Sequence, residues 1–268
     1  MEMIKLSVIT INYNNRSGLQ KTLDSIISQT CRDFEWIVID GGSTDGSREL
    51  IEQYQSEMAY WCSEQDKGIY HAMNKGIAKA NGKYLQFLNS GDVLVDGKVV
   101  ESILPFLKEK EIYLANMYFA SKIGKPVVNP AAVEPSGILN TILFGAIMHP
   151  ASYIKKDCFV KYGYYDENLK ICSDWWFFFR SIIINNASVS YCPVVAVVFD
   201  ETGISSVQPS LGASERKKVL GDYPALGQLA NFYLENYEIV KALKNSKIVF
   251  LLFRFYFFLY RKWSLIRK

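Results

Sequence analysis

The first hundred residues alternate apolar runs of strand length with apolar positions at helical spacing, and each run ends on a polar or acidic residue. No other feature narrows the fold as much. Leu6-Ser7-Val8-Ile9-Thr10-Ile11 reads as a buried strand, closed by the polar break Asn12-Tyr13-Asn14-Asn15. Leu19, Leu23, Ile26 and Ile27 then recur at helical spacing, with Asn15 or Ser17 as the cap. Trp36-Ile37-Val38-Ile39 is a second strand ending at Asp40, and the helix after it turns Leu50, Ile51 and Tyr54 inward. Met58 to Cys62 makes a short third strand, and Ile69, Met73, Ile77 and Ala80 mark a third amphipathic helix. Tyr84 to Leu88 is the fourth strand, closing at Asn89-Ser90-Gly91-Asp92. Such alternation predicts an α/β fold with parallel strands and right-handed crossovers. Ligands of these sheets sit beyond the carboxyl ends of the strands, where Asn12, Asp40 and Asp92 all fall.

Past residue 100 the pattern is coarser. Residues 112–121 read as a strand, 122–140 as a loop rich in Pro and Gly, 174–186 as a helix and 191–199 as a strand. The length of 268 residues suits one large α/β domain with an appendage. Five scattered cysteines without a CxxC pair suggest neither a zinc ribbon nor a disulfide framework, and reduced thiols are expected. With only His71 and His149, no His-rich metal site is expected. Met1 to Lys5 runs straight into a strand, so no secretory signal is expected. The net charge of +3 hides an asymmetry: residues 241–268 carry eight basic side chains and no acidic one, leaving an acidic body. A nucleic-acid-binding body would show the reverse, and no nucleic-acid partner is expected.

Neither GxGxxG nor GxxxxGK[ST] occurs, which removes the dinucleotide and P-loop readings. The run Asp40-Gly41-Gly42-Ser43-Thr44-Asp45-Gly46-Ser47 is compatible with a simple loop and helix cap or with a nucleotide site. Four segments in order are more specific: Leu6 to Asn14, Trp36 to Ser47, Ser63 to Gly76 (Ser-Glu-Gln-Asp-Lys-Gly-Ile-Tyr-His-Ala-Met-Asn-Lys-Gly) and Phe87 to Asp92. Together they resemble the large inverting glycosyltransferase family with the GT-A fold, above all its bacterial exopolysaccharide, capsule and colanic-acid-type branch. The resemblance covers about residues 5 to 96 closely and about 146 to 205 more loosely.

That resemblance implies a GT-A domain over 1–210, with a donor-binding half at about 1–100 and an acceptor and catalytic half at about 101–210. It implies that Thr10 and Tyr13 border a nucleotide base, Tyr13 offering a stacking face, and that Asp40 accepts a hydrogen bond from a uracil imide. Asp66, Lys67 and Asn74 fall in a segment near nucleoside and phosphates, although the same segment could merely cap its helix. Ser90-Gly91-Asp92 stands where the family has an Asp-x-Asp motif holding Mg2+ or Mn2+, with Ser90 replacing the first carboxylate. Asp92 is then the metal ligand, with Asp200 or Glu201 as a second donor, and Ser90 falls to the nucleotide side. Inversion needs a base for the acceptor hydroxyl, and Asp174, in Ser173-Asp174-Trp175-Trp176, matches the catalytic acid segment. His149 and Trp175 are acceptor-side candidates.

Residues 211–268 are expected to form a helical tail. Its stretch Ile248 to Tyr260 is apolar and aromatic but, at thirteen residues, shorter than the roughly 20 a membrane span requires. Basic flanks around it suggest a helix lying on the membrane interface, the alternative being a helix packed on the domain. The expected partners are a nucleotide sugar, by the resemblance a UDP-sugar, a saccharide or lipid-linked saccharide acceptor, and the inner face of the cell membrane. Two other classes stay open: a nucleotidyltransferase and a non-catalytic nucleotide-sugar-binding subunit.

Overall fold

The computed structural model describes residues 4–122 and 145–223, with positions 137, 138, 141, 142 and 228. Contacts group the chain into two units, Met1–Val219 and Leu220–Lys268. The aromatic stretch of the expected tail, and most of the expected loop at 122–140, lie outside the described residues. Among the described residues no helix is long and apolar enough to cross a membrane.

Eight strands among the described residues form one sheet: β1 (Leu6–Asn12), β2 (Phe34–Asp40), β3 (Tyr60–Ser63), β4 (Tyr84–Phe87), β5 (Val93–Leu94), β6 (Ile112–Phe119), β7 (Ser152–Lys155) and β8 (Val189–Phe199). Their order is β3-β2-β1-β4-β7-β6-β8-β5. The first four are parallel, as the alternation predicts, with α1 (Arg16–Ile27), α2 (Ser47–Gln53) and α3 (Ile69–Lys79) between them. Beyond β4 the direction changes. β7 runs antiparallel to both β4 and β6, β6 and β8 are parallel, and β5 returns antiparallel along β8. β5 and β7 are too short to leave a pattern in sequence.

Further α-helices among the described residues are α4 (Val99–Ile103), α5 (Asp157–Tyr162), α6 (Ser173–Phe178), α7 (Ile204–Val207) and α8 (Pro209–Gly221). The helix expected over 174–186 changes character partway. It is α-helical to Phe178 and π-helical from Phe179 to Ile184.

β1 is buried along its whole length, as a strand covered on both faces must be. Leu6 and Val8 join a core with Leu19, Leu23 and Ile26 of α1. Ile9 points the other way, towards α3. That helix lies so close that a Cβ on Gly76 would sit 2.5 Å from Ile9 Cγ2, a distance no side chain tolerates. A buried carboxylate pins the opposite end of the sheet from the ligand side. Glu35 of β2 accepts from Ser7 Oγ of β1 at 2.6 Å and from the Gly82 amide at 3.0 Å, and also from the Asn81 amide in the turn before β4.

Truncating Glu35 to Ala strands these donors in the interior. Each unsatisfied buried group costs about 1–3 kcal/mol, so Glu35→Ala should lower unfolding stability by about 3 kcal/mol. Urea denaturation should show a lower midpoint with an unchanged slope. A midpoint within about 0.5 kcal/mol of wild type would contradict the role given to this carboxylate.

Candidate active site

The carboxyl ends of the four parallel strands are joined by a chain of hydrogen bonds. Asn12 and Asp40 are register partners at the last positions of β1 and β2, and Asn12 Nδ2 donates to Asp40 Oδ1 at 2.6 Å. Ser63, at the end of β3, donates its hydroxyl to Asp40 Oδ2 at 2.6 Å. Ser90, just beyond β4, donates to Asn12 Oδ1 at 2.8 Å. Ser43 completes the set, giving Asp40 both its amide, at 2.9 Å, and its hydroxyl, at 2.6 Å. Burial pushes the Asp40 carboxyl upward, but the bonds from Ser43, Ser63 and Asn12 outweigh it and hold the group below its usual range.

Over these strand ends opens a pocket of about 950 Å3, a size suited to a substantial ligand. Of the residues expected from sequence, Tyr13, Asp66, Lys67, Ser90 and Asp92 all line it. Tyr13 is 67 % exposed, and Gly41 lets its ring lie close: a Cβ there would be 3.1 Å from Tyr13 Cδ2 and 3.3 Å from Asp66 Oδ2. Asp66 is braced from α3, accepting from Lys75 Nζ at 2.5 Å and facing His71 Nδ1 at 3.1 Å. Lys67 is exposed and makes no ion pair among the described residues, so it is a cation available to a ligand.

Three of the residues expected on the nucleotide side do not reach the pocket wall. Thr10 is fully buried on the Leu6–Val8 face of β1, where its Oγ1 accepts from the Trp36 indole at 3.0 Å. Asp40 is fully buried and its oxygens are engaged by the donors above, so a ligand could meet it only by displacing one of them. Asn74 spends its amide on another segment: Nδ2 donates to Tyr165 O and to Glu167 Oε1, both at 2.9 Å, and Oδ1 accepts from the Tyr165 amide at 3.2 Å. Alternation and tertiary packing, neither visible in a motif, turn these groups away.

The wall also holds residues that sequence reading passed over or named only in passing. Asn89 lines the pocket with a buried Oδ1 that has no hydrogen-bond partner among the described residues. Asp200, one residue past β8, lines it as well. The Asp200 amide donates to Asp92 Oδ1 at 2.9 Å, which sets the two residues side by side. Gly91 makes this approach possible. Its φ of +107° suits glycine, and a Cβ there would lie 2.2 Å from Asp200 Oδ2. Asp92 is 3 % exposed, and burial, assisted by the charge of Asp200, raises its carboxyl to about 7. One buried and one half-buried carboxylate at the pocket wall are oxygen donors of the kind that suits a hard divalent cation, whose remaining ligands a diphosphate could supply. Among the described residues no group of three or more His, Cys, Asp or Glu side chains is placed to hold a metal.

The acceptor-side candidates are largely interior. His149 is 6 % exposed, stacks on Phe87 with ring centroids 5.0 Å apart and meets Tyr165 Oη at 2.8 Å through Nε2. Burial lowers its imidazole below the usual range, partly offset by the charge of Asp174. Trp175 is 4 % exposed and donates its indole N–H to Ile142 O at 2.7 Å, so it packs in the core and does not present a face to a sugar. Asp174, in the first turn of α6, is half-buried and outside the pocket wall. It is tied to the pocket by one side chain: Tyr70, next to the lining residue Ile69, donates to Asp174 Oδ1 at 2.9 Å.

Comparison with known proteins places this architecture. The family model described as glycosyl transferase family 2 matches residues 7–188. An uncharacterised glycosyltransferase of Mycobacterium tuberculosis is 34 % identical over 235 residues, 85 % of either chain. A PGL/p-HBAD biosynthesis glycosyltransferase of Mycobacterium bovis is 29 % identical over 203 residues, 74 % of this chain and 77 % of its own. Among solved structures, S. aureus TarS 1-349 in complex with UDP-GlcNAc is similar with a TM-score of 0.61 at 20 % identity, over 74 % of this chain and 59 % of that one. The mannosyltransferase PcManGT from Pyrobaculum calidifontis, in complex with GDP-Man and Mn2+, is similar with a TM-score of 0.62 at 15 % identity, over 97 % and 83 %. The two structural likenesses are likenesses of fold.

The Asp92 carboxyl makes stability depend on pH in a calculable direction. Its pKa rises from 3.8 in the unfolded reference to about 7 in the fold, so between these values the native state holds a proton that the unfolded chain has lost. The resulting stabilisation is complete below the unfolded value and disappears as pH rises through about 7. With EDTA present, wild type should lose stability relative to Asp92→Asn from about pH 5 to about pH 7, by at most about 1.4 kcal/mol per pH unit. Urea unfolding at several pH values reads this directly. Parallel curves would mean that Asp92 is not held in the environment described.

Proposed function

The chain belongs to glycosyl transferase family 2, and from that premise we propose that this glycosyltransferase moves a sugar from a UDP-sugar onto a saccharide acceptor with inversion. The observation that carries the reading is the pocket itself. An exposed aromatic ring, a cation without an ion pair and a pair of close carboxylates face one volume at the strand ends. Tyr13 matches the base of a nucleotide sugar and Lys67 its diphosphate, and Asn89 Oδ1, a fourth group at the wall, matches a hydroxyl of ribose or sugar. A cation bound by Asp92 and Asp200 would supply charge neutralisation for the departing diphosphate, the chemistry PcManGT's Mn2+ complex makes reasonable here.

In this reading Asp40 works from beneath. Its four donors hold Ser43 and Asn12 in place under the base, and a uracil imide would reach it by taking the place of one of them. The acceptor hydroxyl attacks the anomeric carbon from the face opposite the diphosphate. Asp174 takes the hydroxyl proton, the new C–O bond forms, and the bond to the nucleoside diphosphate breaks. UDP as donor nucleotide accords with TarS, which is known in complex with UDP-GlcNAc. A role in surface glycan assembly accords with the mycobacterial biosynthesis glycosyltransferase. A lipid-linked acceptor rests on the basic, aromatic tail alone: eight cations beside an acidic body favour an anionic membrane surface.

Uridine diphosphate sugars should raise the melting temperature more than guanosine ones in the presence of Mn2+. Asp92→Asn should weaken that binding, whereas Asp174→Asn should leave it nearly intact while lowering kcat by about 10²–10⁴. Calorimetric titration of the donor and a sugar-transfer assay decide the matter. Near-normal transfer by a folded Asp174→Asn variant would remove Asp174 from the mechanism, and equal stabilisation by GDP-sugars would remove the uridine assignment. Binding of the full chain to anionic vesicles should fall steeply between about 0.05 and about 0.5 M salt as surface attraction is screened. Salt-independent binding, or none, would discard the membrane role of the tail.

A further inference from the structure

Tyr70 occupies a position between the donor pocket and the carboxylate assigned as base. Gly68 and Ile69, immediately before it, line the pocket, and Tyr70 itself is 4 % exposed. Its hydroxyl has two acceptors within reach, Ile171 O at 2.6 Å and Asp174 Oδ1 at 2.9 Å. A phenol has one proton, so it can satisfy only one of them well at any moment. The segment carrying Ile171 cannot drift away to settle the choice. The Glu215 carboxylate of α8 accepts the amides of Lys170, Ile171 and Cys172 at 2.7, 3.0 and 3.1 Å.

Burial, then the charge of Asp174, holds the Tyr70 phenol well above its usual range, so it remains a proton donor throughout. The other titratable and charged groups acting on Asp174 come from three directions. His149 and Tyr165 are hydrogen-bonded to each other, Cys172 precedes α6, and the Arg216 guanidinium lies 4.8 Å over the Trp175 ring. Among the described residues, Tyr70 is the side chain that hydrogen-bonds the Asp174 carboxylate.

We propose that Tyr70 is the positioning residue for Asp174. Its hydroxyl holds Oδ1 while the carboxylate is charged, leaving the other oxygen to the acceptor, and turns to the Ile171 carbonyl once Asp174 becomes protonated. This rests on the reading of Asp174 as the base. A lone pair of the acceptor oxygen forms the new glycosidic bond as the anomeric carbon–oxygen bond to the nucleoside diphosphate breaks and its pair leaves with the diphosphate; the acceptor O–H pair stays on oxygen and the proton goes to Asp174. The Tyr70 proton stays on the Tyr70 oxygen throughout. The second acceptor gives the arrangement its value, because the carboxylate can change charge without leaving a buried phenol unsatisfied in either state. The same residue ties the orientation of the base to the helix end that borders the donor.

The test is a pH–rate profile with Tyr70→Phe, with 3-fluorotyrosine incorporated at position 70, and with Asp174→Asn as reference. Removing the phenol should lower kcat about tenfold or more at unchanged KM for the donor, the loss of one charge-assisted hydrogen bond. It should also move the acid limb of kcat to higher pH, because the charged carboxylate loses a donor. Fluorotyrosine, a stronger donor, should move that limb to lower pH. A folded Tyr70→Phe enzyme whose kcat falls without a shift of the limb would show a merely structural role and overturn the proposal. Should Tyr70→Phe fail to fold, an unshifted limb in the fluorotyrosine enzyme overturns it equally. Full activity in Asp174→Asn would instead bring down the base assignment, and the proposal with it.

Discussion

The hydrogen bond between Asn12 and Asp40 is the interaction from which the site is built. It closes the register of β1 against β2 at the last residue of each strand, and it is one link in a chain from Ser63 of β3 to Ser90 beyond β4. Four strand ends that would otherwise splay are held to one another by polar side chains, and the pocket floor takes its shape from them. A buried carboxylate is costly unless hydrogen-bonded, and Asp40 is satisfied by four donors. The same carboxylate cannot then be an idle ligand contact. It organises the loop from Gly41 to Ser47 and the side chains that do face the pocket.

The two halves of the site differ in physical character. On the donor side, polar and charged groups converge on an open volume from loops after parallel strands. On the side of Asp174, aromatic packing dominates. Phe87, His149, Phe159, Tyr165 and Phe177 form a contiguous stack and edge-to-face cluster beneath α6. That cluster makes α6, which carries Asp174, a firmly packed platform, and the packing follows from the change of strand direction at β7, which brings the 149–165 segment against β4. Tyr70 and Asn74, both on α3, join the halves: one bonds Asp174, the other clamps the backbone at Tyr165.

In the proposed metal site Ser90 stands where the resemblance places a first carboxylate, so negative charge has to come from elsewhere. Ser90 is committed to Ile11 O and Asn12, so it stabilises the strand ends. The second carboxylate comes from 108 positions further along the chain, through Asp200, which reaches Asp92 because β8 runs beside β5. The close approach exacts a backbone conformation that only Gly91 accommodates easily.

The sequence by itself determined the parallel half of the fold, because strand and helix periods alternate there and every strand runs into a polar segment. It also determined which loops meet, since parallel strands deliver their carboxyl ends to one edge. Asn12 and Asp92 were legible for that reason, and Tyr13, Asp66, Lys67 and Ser90 through the resemblance of their motifs to a known family. What tertiary structure alone decided is which side chain of a motif faces the ligand. Thr10 turns to Trp36, Asn74 to Tyr165 and Trp175 to Ile142, because each finds a partner in a segment 26, 91 or 33 residues away. The pairing of Asp92 with Asp200 and of Tyr70 with Asp174 is of the same kind. A local pattern carries periodicity and turn chemistry but not which distant side chains meet: Thr10 finds Trp36 across the parallel β1–β2 pair, whereas Asp92 meets Asp200 only once β5 has paired with β8, and a strand of two residues leaves no periodic trace in a sequence.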